Sequence, residues 1–488
     1  MAQDIKGFLK VKRKYPEYRP VCERVKDYSE VAVLRRGEQS KEQALRCMDC
    51  GTPFCHWGCP LGNYIPEWNE LIAAGLWKKA IELLQATNNL PEITGRLCPA
   101  PCEFACVLGI NDDPVTVREN ELAIIEHGFK AGFIKPLAPE IRSGKKVAVI
   151  GSGPAGLCCA AQVNKAGHKV TVFEKDDKIG GILRYGIPDF KLDKWLLERR
   201  IKLLKKEGIT FKTGVNVGID YPVLKLLKEF DAIALSGGSR VPRDLKIEGR
   251  ELSGINFAMD YLTQSNRRAA GELIPKDGLI DAKGKRVLVI GGGDSGADCV
   301  GTAHRQGASC VIQIEVMPKP SECRTEDIPW PRYPLLLKTS TSHEEGGERQ
   351  WAVLTKKFIG EKGRVRKVSS VRVEFSEDAG RGCPMMKEIP GSGFEIETDL
   401  VILAIGFVYP EPQGLLKQLK VKLDSRGNVK TNDNYMTSQK GVFSAGDMRR
   451  GQSLIVWAIS EGRAAAMAID EYLMGKSRLP ALRLSKIF

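Results

Sequence analysis

Apolar residues change their spacing along the chain, and the change falls near residue 140. Before that point the apolar positions recur at helical intervals, as in 67–86 and 117–129, without strand alternation. Beyond it, short apolar runs typical of buried strands alternate with helical stretches. These runs stand at 146–150, 169–173, 231–235, 286–290, 310–314 and 400–405. Alternating strands and helices predict doubly wound parallel sheets, so we expect an all-helical N-terminal domain followed by an α/β region.

One construction occurs twice in the α/β region: a strand, a glycine-rich turn, a helix, a second strand and a terminal acid. The first copy ends at Glu174 and the second at Glu315. In this fingerprint the glycines allow a tight turn and close approach of a pyrophosphate at the helix N-terminus, and the acid accepts hydrogen bonds from a ribose. A single glycine-rich turn is a weak indication. Two complete copies predict two dinucleotide sites, against the alternative of two glycine turns that bind nothing.

The residues of the two predicted nucleotide sites follow from these copies. The first site comprises Gly151, Ser152, Gly153, Pro154, Ala155, Gly156, Glu174 and Lys175, and the second comprises Gly291, Gly292, Gly293, Asp294, Ser295, Gly296 and Glu315. A further strand near the C-terminus ends on Gly446 and Asp447. An aspartate at the mouth of a sheet is placed to meet the ribityl chain or pyrophosphate of a flavin, although a Gly-Asp pair alone is a routine turn.

Seven of the fourteen cysteines fall within sixty residues of the N-terminal region. They are Cys47, Cys50, Cys55, Cys59, Cys98, Cys102 and Cys106. Such crowding, with a proline after the fourth cysteine, favours iron–sulfur ligation over a structural zinc site, disulfides or plain buried thiols. Two clusters need eight ligands, so either one ligand is not a cysteine or the two-cluster interpretation is wrong.

Composition limits the class of protein. A chain of 488 residues with 42% hydrophobic content is expected to form two to four globular domains. It lacks an apolar run of membrane-spanning length, and its first residues are too polar for a signal peptide, so we expect a cytoplasmic protein without membrane association. The net charge of +14 is spread along the chain, which favours anionic ligands over nucleic acid.

Several long strings carry a family resemblance. GFLKVKRKYPEYRPVCERVKDYSE at 7–30, the cysteine array, GGILRYGIPDFKL at 180–192, GGGDSGADCV at 291–300 and VFSAGDMRRGQSLIVWAI at 442–459 closely resemble the small (beta) subunits of glutamate synthase. The wider family includes the N-terminal half of dihydropyrimidine dehydrogenase. The resemblance implies two Rossmann-like domains of glutathione-reductase type behind the helical domain. It divides the chain into a helical bis-[4Fe–4S] domain (1–140), the first part of an FAD domain (141–250), an NAD(P)H domain (251–395) and a return to the FAD domain (396–488).

The resemblance also implies ligands. FAD is expected at the first fingerprint, with Gly181, Arg184, Lys191, Gly446 and Asp447 around it, and the nicotinamide at the second. One cluster is expected on Cys47, Cys50, Cys55 and Cys106, and the other on Cys59, Cys98 and Cys102. The eighth ligand implied by the family is Glu121.

The local sequence supports Glu121 independently. Thr116 and Glu119 match a capping box that opens a helix, which leaves Glu121 on the apolar stripe of Val117 and Ile124. A carboxylate on a buried stripe needs a partner or a metal. A solvated surface glutamate and a buried salt bridge are the competing interpretations.

The resemblance implies an electron-input subunit that oxidises NAD(P)H and supplies a separate large (alpha) subunit, which makes glutamate from glutamine and 2-oxoglutarate. Because Glu315 is an acid and is not followed by arginines, NADH is expected over NADPH. The side chains need supply no general acid, base or nucleophile. Alternatives are a subunit of another flavin iron–sulfur oxidoreductase, of transhydrogenase or sulfide dehydrogenase type, and a zinc-stabilised nucleic-acid-binding or scaffold protein. The stretch 317–346, rich in proline and charge, predicts an irregular excursion from the second nucleotide domain.

Overall fold

The computed structural model of the chain describes residues 6–376 and 385–480. Its N-terminal region is helical apart from one pair of two-residue antiparallel strands. The elements in order are α1 (Gly7–Lys10), β1 (Glu17–Tyr18), α2 (Val21–Arg24), β2 (Ala32–Val33), α3 (Gly37–Ala44), α4 (Phe54–Gly58), α5 (Ile65–Ala73), α6 (Trp77–Thr87), α7 (Pro91–Leu97), α8 (Pro101–Phe104) and α9 (Val117–Lys130), with a 3₁₀ turn at Val107–Ile110 before α9.

Two details of this region differ from the sequence predictions. The expected helical stretch at 67–86 is two helices, because Gly75 takes a φ of +76° and ends α5. The Leu76 N–H then reaches back to the Leu71 carbonyl at 2.7 Å, as in a Schellman ending. Helix α9 does start after Thr116, but no capping box forms: Glu119 pairs instead with Arg118.

The first Rossmann-like unit is a parallel sheet with helices on both faces. Its elements are β3 (Lys146–Ile150), α10 (Pro154–Lys165), β4 (Lys169–Phe173), α11 (Ile182–Tyr185), α12 (Lys194–Lys206), β5 (Thr210–Lys212), α13 (Val223–Glu229) and β6 (Ala232–Leu235). Ile150 lies opposite Phe173 in the β3–β4 ladder, so the glycine turn after β3 and the acid after β4 emerge side by side. This arrangement is the one the fingerprint requires.

The second unit repeats the arrangement. Its elements are β7 (Ile255–Phe257), α14 (Ala258–Ala269), β8 (Arg286–Ile290), α15 (Asp294–Arg305), β9 (Cys310–Ile314), α16 (Thr341–Glu344) and β10 (Glu348–Gln350). Its parallel sheet has the order β10, β9, β8, β15, β7, in which β15 is Leu400–Leu403. Strand β15 pairs with β7 and β8, so the chain leaves this sheet only after 403, not at the expected boundary of 396.

An antiparallel sheet, which the sequence analysis missed, is inserted before β15. It contains β11 (Val353–Glu361), β12 (Arg364–Ser376), β13 (Met385–Glu388) and β14 (Phe394–Glu397). Lys362 and Gly363 join β11 to β12 with φ values of +53° and +75°. A two-residue turn with positive φ at both positions suits the twist of a hairpin.

The chain then returns to the first unit through α17 (Leu415–Leu419), β16 (Val442–Ser444), α18 (Asp447–Arg450) and α19 (Ile455–Met474). Strand β16 joins the edge of the first sheet beside β6. Helix α19 packs against α10 and is buried over most of its length. Among the described residues, no helix combines the length and apolarity needed to cross a bilayer.

Charged side chains hold the helical domain on the two nucleotide units. Arg200 of α12 donates to both carboxylate oxygens of Glu92 in α7, at 2.6 and 2.7 Å. Arg24 of α2 and Arg305 of α15 both pair with Glu345, whose side chain is fully buried. Breaking an ion pair of a buried carboxylate is costly, because it leaves a buried charge without its partner. These ion pairs therefore fix the relative position of the domains.

Candidate functional site

A cavity of about 1830 Å³ is lined by residues of both parallel-sheet units. The turns after β3 and β8 both line it, as do residues of the helical domain. Of the predicted nucleotide-site residues, those that line it are Gly151, Ser152, Gly153, Pro154, Ala155, Glu174, Lys175, Gly181, Lys191, Gly291, Gly292, Gly293, Asp294, Ser295, Glu315 and Asp447. The cavity thus joins both fingerprints in one space.

The turn after β3 has the backbone that a pyrophosphate needs. Gly151 has a φ of +101°, and a Cβ on Gly156 would lie 2.0 Å from the Gly151 carbonyl oxygen. Gly156 therefore serves the close packing of α10 on β3 and does not itself line the cavity. The buried Glu174 carboxylate accepts from the Ser152 N–H at 3.0 Å and from the Ser152 hydroxyl at 2.5 Å. The acid is thereby held at the turn, where a ribose would meet it.

The turn after β8 repeats this geometry. Gly291 has a φ of +123°, and a Cβ on Gly296 would lie 2.2 Å from the Gly291 carbonyl oxygen. The Glu315 carboxylate accepts from the Gly292 N–H at 2.5 Å and from the Met317 N–H at 3.1 Å. Like Gly156, Gly296 packs its helix on its strand and stays outside the cavity lining. Both turns fit a dinucleotide.

An ion pair between two residues of the cavity wall joins the two units. Lys191, which follows α11, pairs with Asp298 on α15. Burial raises the pKa of Asp298, and the Lys191 charge opposes that rise. The pair brings a cation from the first unit against the helix of the second, between the predicted flavin and nicotinamide sites. Asp298 was absent from the sequence prediction, although it stands two residues after the last fingerprint glycine.

The C-terminal part of the first unit contributes Asp447. Its carboxylate accepts from the Ser453 hydroxyl at 2.8 Å, and burial raises its pKa to about 6. Gly446, with a φ of +70°, donates its N–H to the buried Glu461 of α19 at 2.9 Å, and Glu461 also pairs with Arg449. Glu461 was missed, and its sequence signal is an acid among the mostly apolar and small residues of the first half of α19.

Besides Gly156 and Gly296, two further predicted residues, Arg184 and Gly446, do not line the cavity. Arg184 of α11 pairs with Glu198, and its Nε donates to the Ile179 carbonyl at 3.1 Å. Gly446 is likewise outside the lining, where it shapes the turn before Asp447. The arginine therefore braces the loop that carries Gly181 and has no direct path to a cofactor in this arrangement.

Four thiols of the helical domain surround one small pocket, namely Cys47, Cys50, Cys55 and Cys106. The other side chains around it are mostly apolar, among them Phe54, Ile65 and Val117. Burial raises the pKa of Cys47 to about 12, and the nearby Cys106 and Cys50 add to the rise. Thiols gathered in such a place become thiolates against the positive charge of a metal. We name these four residues the first cysteine group.

The second cysteine group consists of Cys59, Cys98 and Cys102 together with Glu121. Burial raises the pKa of all three thiols, to about 11 for Cys59, and the Glu121 charge contributes to the rise at each. The side chains of each group thus lie near one another, and their assignment as the ligands of two clusters stays a prediction from the family resemblance.

Glu121 is buried on α9. Its Oε1 accepts from the Asn88 amide at 2.8 Å and from the Thr94 hydroxyl, and burial raises its pKa to about 7. The alternative of a solvated surface glutamate is wrong. The alternative of a buried salt bridge finds no support, since Glu121 forms no ion pair with another described residue. The position suits a ligand whose charge is met by a metal.

Within residues 6–376 and 385–480, no three Cys, His, Asp or Glu side chains converge on one point as the ligands of a single ion would.

The helical domain also forms part of the cavity wall. Cys98, Arg118 and Glu119 line the cavity, whereas none of the first cysteine group does. The second cysteine group therefore stands next to the space shared by the two fingerprints. No pattern in the sequence indicates this juxtaposition, because it depends on how α7 and α9 dock on the first unit.

Comparisons with known proteins agree with this architecture. Residues 145–462 match the family described as pyridine nucleotide-disulphide oxidoreductase, and residues 24–132 match dihydropyrimidine dehydrogenase domain II, 4Fe-4S cluster. The chain resembles the fold of Mycobacterium tuberculosis FprA in complex with NADPH, with a TM-score of 0.54 and 16% identity over 68% of this chain and 85% of that one.

Relatives match along almost the whole chain. The glutamate synthase [NADPH] small chain of Mycobacterium tuberculosis H37Rv is 55% identical over 97% of both chains. That of Bacillus subtilis is 46% identical over 97% of this chain and 99% of its own. Glutamate synthase [NADH] of Schizosaccharomyces pombe is 45% identical over 98% of this chain, which corresponds to 23% of that longer protein. With two nucleotide units behind a cysteine-rich helical domain, the chain belongs to the flavin iron–sulfur oxidoreductase family of the glutamate synthase small chains.

Proposed function

We propose that this chain is the electron-input subunit of a glutamate synthase. It oxidises NADH at the second fingerprint and passes the electrons singly to a separate large subunit, which makes glutamate from glutamine and 2-oxoglutarate. The observation that carries the proposal is the shared cavity, whose wall includes both fingerprints and Cys98. We assign the chain to the cytoplasm, where thiols stay reduced and available to iron.

The two fingerprints are proposed to bind different cofactors. Gly151 to Ala155, Glu174 and Asp447 would hold FAD, and Gly291 to Ser295 and Glu315 would hold the nicotinamide dinucleotide. When bound, FAD supplies the conversion of a two-electron hydride into single electrons. Lys191 and Asp298 pair across the two units, as do Arg267 with Asp177 and Lys178 with Glu272. These contacts are proposed to hold the two sites in the alignment that hydride transfer needs.

The two cysteine groups are proposed to hold two [4Fe–4S] clusters in series. The second group, with Cys98 in the cavity wall, is the nearer to the flavin site. Glu121 is proposed as its fourth ligand through Oε2, which takes part in neither the Asn88 nor the Thr94 hydrogen bond. The first group is farther from the cavity and reaches the protein surface at Cys50, which is only partly buried. This order makes the first group the electron exit.

The preference for NADH rests on Glu315. Its carboxylate is bonded to two backbone N–H groups, and no ion pair engages it among the described residues. A free ribose 2′-hydroxyl can donate to such a carboxylate, whereas a 2′-phosphate would be repelled by it. The relatives do not decide the matter, since both NADPH-named and NADH-named proteins are 45–55% identical.

Reconstitution tests the proposal. The purified chain should contain one flavin and two four-iron clusters, and NADH should bleach the flavin under anaerobic conditions. Added to a glutamate synthase large subunit, the chain should support NADH-dependent glutamate formation from glutamine and 2-oxoglutarate. A chain with both cofactors that reduces dyes but supports no glutamate formation would show that the acceptor is another protein. A higher kcat/KM for NADPH than for NADH would overturn the assignment of Glu315.

A further inference from the structure

The segment 317–340, which we call the strap, connects the nicotinamide site to the cysteine groups. It contains no helix or strand and begins two residues after Glu315. Its C-terminal end lines the cofactor cavity through Leu337 to Ser340, and its N-terminal end directly follows Val316, which also lines the cavity. Its middle leaves the second unit and lies on the helical domain.

Two aromatic rings of the strap meet the turns that carry the cysteines. The ring of Trp330 packs on Phe54, with 4.6 Å between centroids, and the ring of Tyr333 meets Phe104 edge-on at 5.2 Å. Phe54 precedes Cys55 and lines the pocket of the first cysteine group. Phe104 lies on α8, two residues after Cys102 of the second group. Trp330 therefore packs beside the first cysteine group, and Tyr333 packs beside the second.

Arg324 fastens the strap in this position. Its guanidinium donates to the Phe104 carbonyl at 3.0 Å, and to the carbonyls of Ile328 and Arg332 within the strap at 3.1 and 2.6 Å. One side chain thus ties the backbone of the strap to the backbone of α8. The contact is specific, because a guanidinium needs several acceptors in its plane.

Trp330 and Tyr333 contribute to this contact through the packing of their aromatic rings and not through their polar atoms. The indole Nε1 and the phenol oxygen are buried, and neither has a hydrogen-bond partner among the described residues. Buried polar atoms of these side chains usually find a partner, so their cost here is offset by the aromatic packing. Replacing either side chain by phenylalanine should therefore preserve the contact.

We propose that the strap is an aromatic cover, supplied by the nicotinamide unit, that keeps water and oxygen from the two iron–sulfur clusters. Exclusion of solvent is one of the properties that set the stability and reduction potential of a cluster. The inference rests on the proposed function only in taking a cluster to occupy each cysteine group. It adds that neither cluster site is complete within the helical domain.

The test compares Trp330→Ala and Tyr333→Ala with Trp330→Phe and Tyr333→Phe in the full-length chain. After anaerobic preparation, iron and flavin contents are measured, and the loss of visible cluster absorbance is followed in air. Cluster midpoint potentials are determined by EPR-monitored titration. Trp195→Ala is the matched control, since Trp195 is exposed on α12 of the first unit and packs against Arg199, at 4.8 Å.

The alanine variants should lose cluster absorbance several-fold faster than wild type and have more positive midpoint potentials, because water stabilises the more negative reduced cluster. The phenylalanine variants and Trp195→Ala should behave like wild type. Flavin reduction by NADH should be unchanged in all of them. The proposal is overturned if the alanine variants keep wild-type bleaching rates and potentials, or if phenylalanine fails to restore them. A wild-type chain that contains no iron would instead refute the proposed function.

Should the alanine variants not fold, Arg324→Gln provides a second route, because it removes the fastening but leaves both rings. It should accelerate bleaching to an intermediate degree. A wild-type rate in a folded Arg324→Gln protein would contradict the role of the strap.

Discussion

The Glu315 carboxylate accepts a hydrogen bond from the Gly292 N–H at 2.5 Å, and Glu174 makes the equivalent bond to the Ser152 N–H at 3.0 Å. In both units the acid that ends the second strand is tied to the second residue of the glycine turn. The turn and the acid are thus positioned together before a nucleotide arrives, which reduces the ordering needed on binding.

This relationship predicts the effect of changing Glu315. Glu315→Ala should raise KM for NADH by about 10- to 100-fold, because hydrogen bonds to a charged group contribute ~1.5–3 kcal/mol. KM for NADPH should change little or fall, since a repulsive charge is removed. The measurement is steady-state dye reduction with both nucleotides. Glu322→Ala, on the exposed part of the strap, is the control.

Glu121 is expected to determine the iron content of the second cysteine group. Glu121→Ala should lower iron to roughly half, because a cluster with three thiolates and no fourth ligand is easily lost. Glu119→Gln, on the same helix but paired with Arg118, should keep its iron. Full iron and two intact EPR signals in Glu121→Ala would remove this residue from the ligand set.

The Lys191–Asp298 pair should matter for both stability and hydride transfer. Lys191→Met leaves a buried carboxylate without its partner, at a cost of ~3–5 kcal/mol, so the thermal midpoint should fall. The double variant Lys191→Met/Asp298→Asn should recover most of that loss while flavin reduction by NADH stays slow. Stopped-flow reduction and thermal unfolding separate the two effects. Equal instability of the single and double variants would argue against the pairing.

His343 predicts a pH dependence of stability. Burial lowers its pKa from 6.5 to about 4, and the ring lies between Ser340 and Gln313. The folded state therefore favours the neutral ring. The stability it contributes is fully present above pH 6.5 and is lost as the pH falls from 6.5 towards 4, because the unfolded chain binds the proton first.

The variant His343→Gln should flatten the fall of the thermal midpoint across that pH range. His127→Gln is the comparison variant. Burial also lowers the pKa of His127, but its ring stacks on Trp77 within the helical domain and not in the nucleotide units. An unchanged pH profile in His343→Gln would show that other groups control acid stability.

The parts of the site that could be predicted from the sequence are the local ones. The turns at Gly151 and Gly291 and the acids Glu174 and Glu315 follow from strand, turn and helix signals within thirty residues. The antiparallel sheet also had a local signal, the Lys362-Gly363 turn between alternating apolar positions, but it was overlooked. The membership of the cysteine groups came from family resemblance, because spacing alone does not pair thiols across a forty-residue gap.

Other features depend on contacts between distant parts of the chain. Asp298 meets Lys191, Cys98 reaches the cavity wall, and Trp330 meets Phe54 only because three units dock in one arrangement. No periodicity in the sequence encodes such docking. Arg184 was expected near FAD from the family resemblance, and it does lie in the expected loop. Its side chain nevertheless pairs with the neighbouring carboxylate of Glu198 and does not reach the cavity.

In the proposed path, electrons pass from the cavity to the second cysteine group, and a Cys98 variant interrupts this step. Cys98→Ser should retain FAD and its bleaching by NADH, yet lose NADH-dependent glutamate formation with a large subunit. Cys22→Ser, at an exposed cysteine outside both groups, should keep full activity. Undiminished glutamate formation by Cys98→Ser would contradict the proposed electron path.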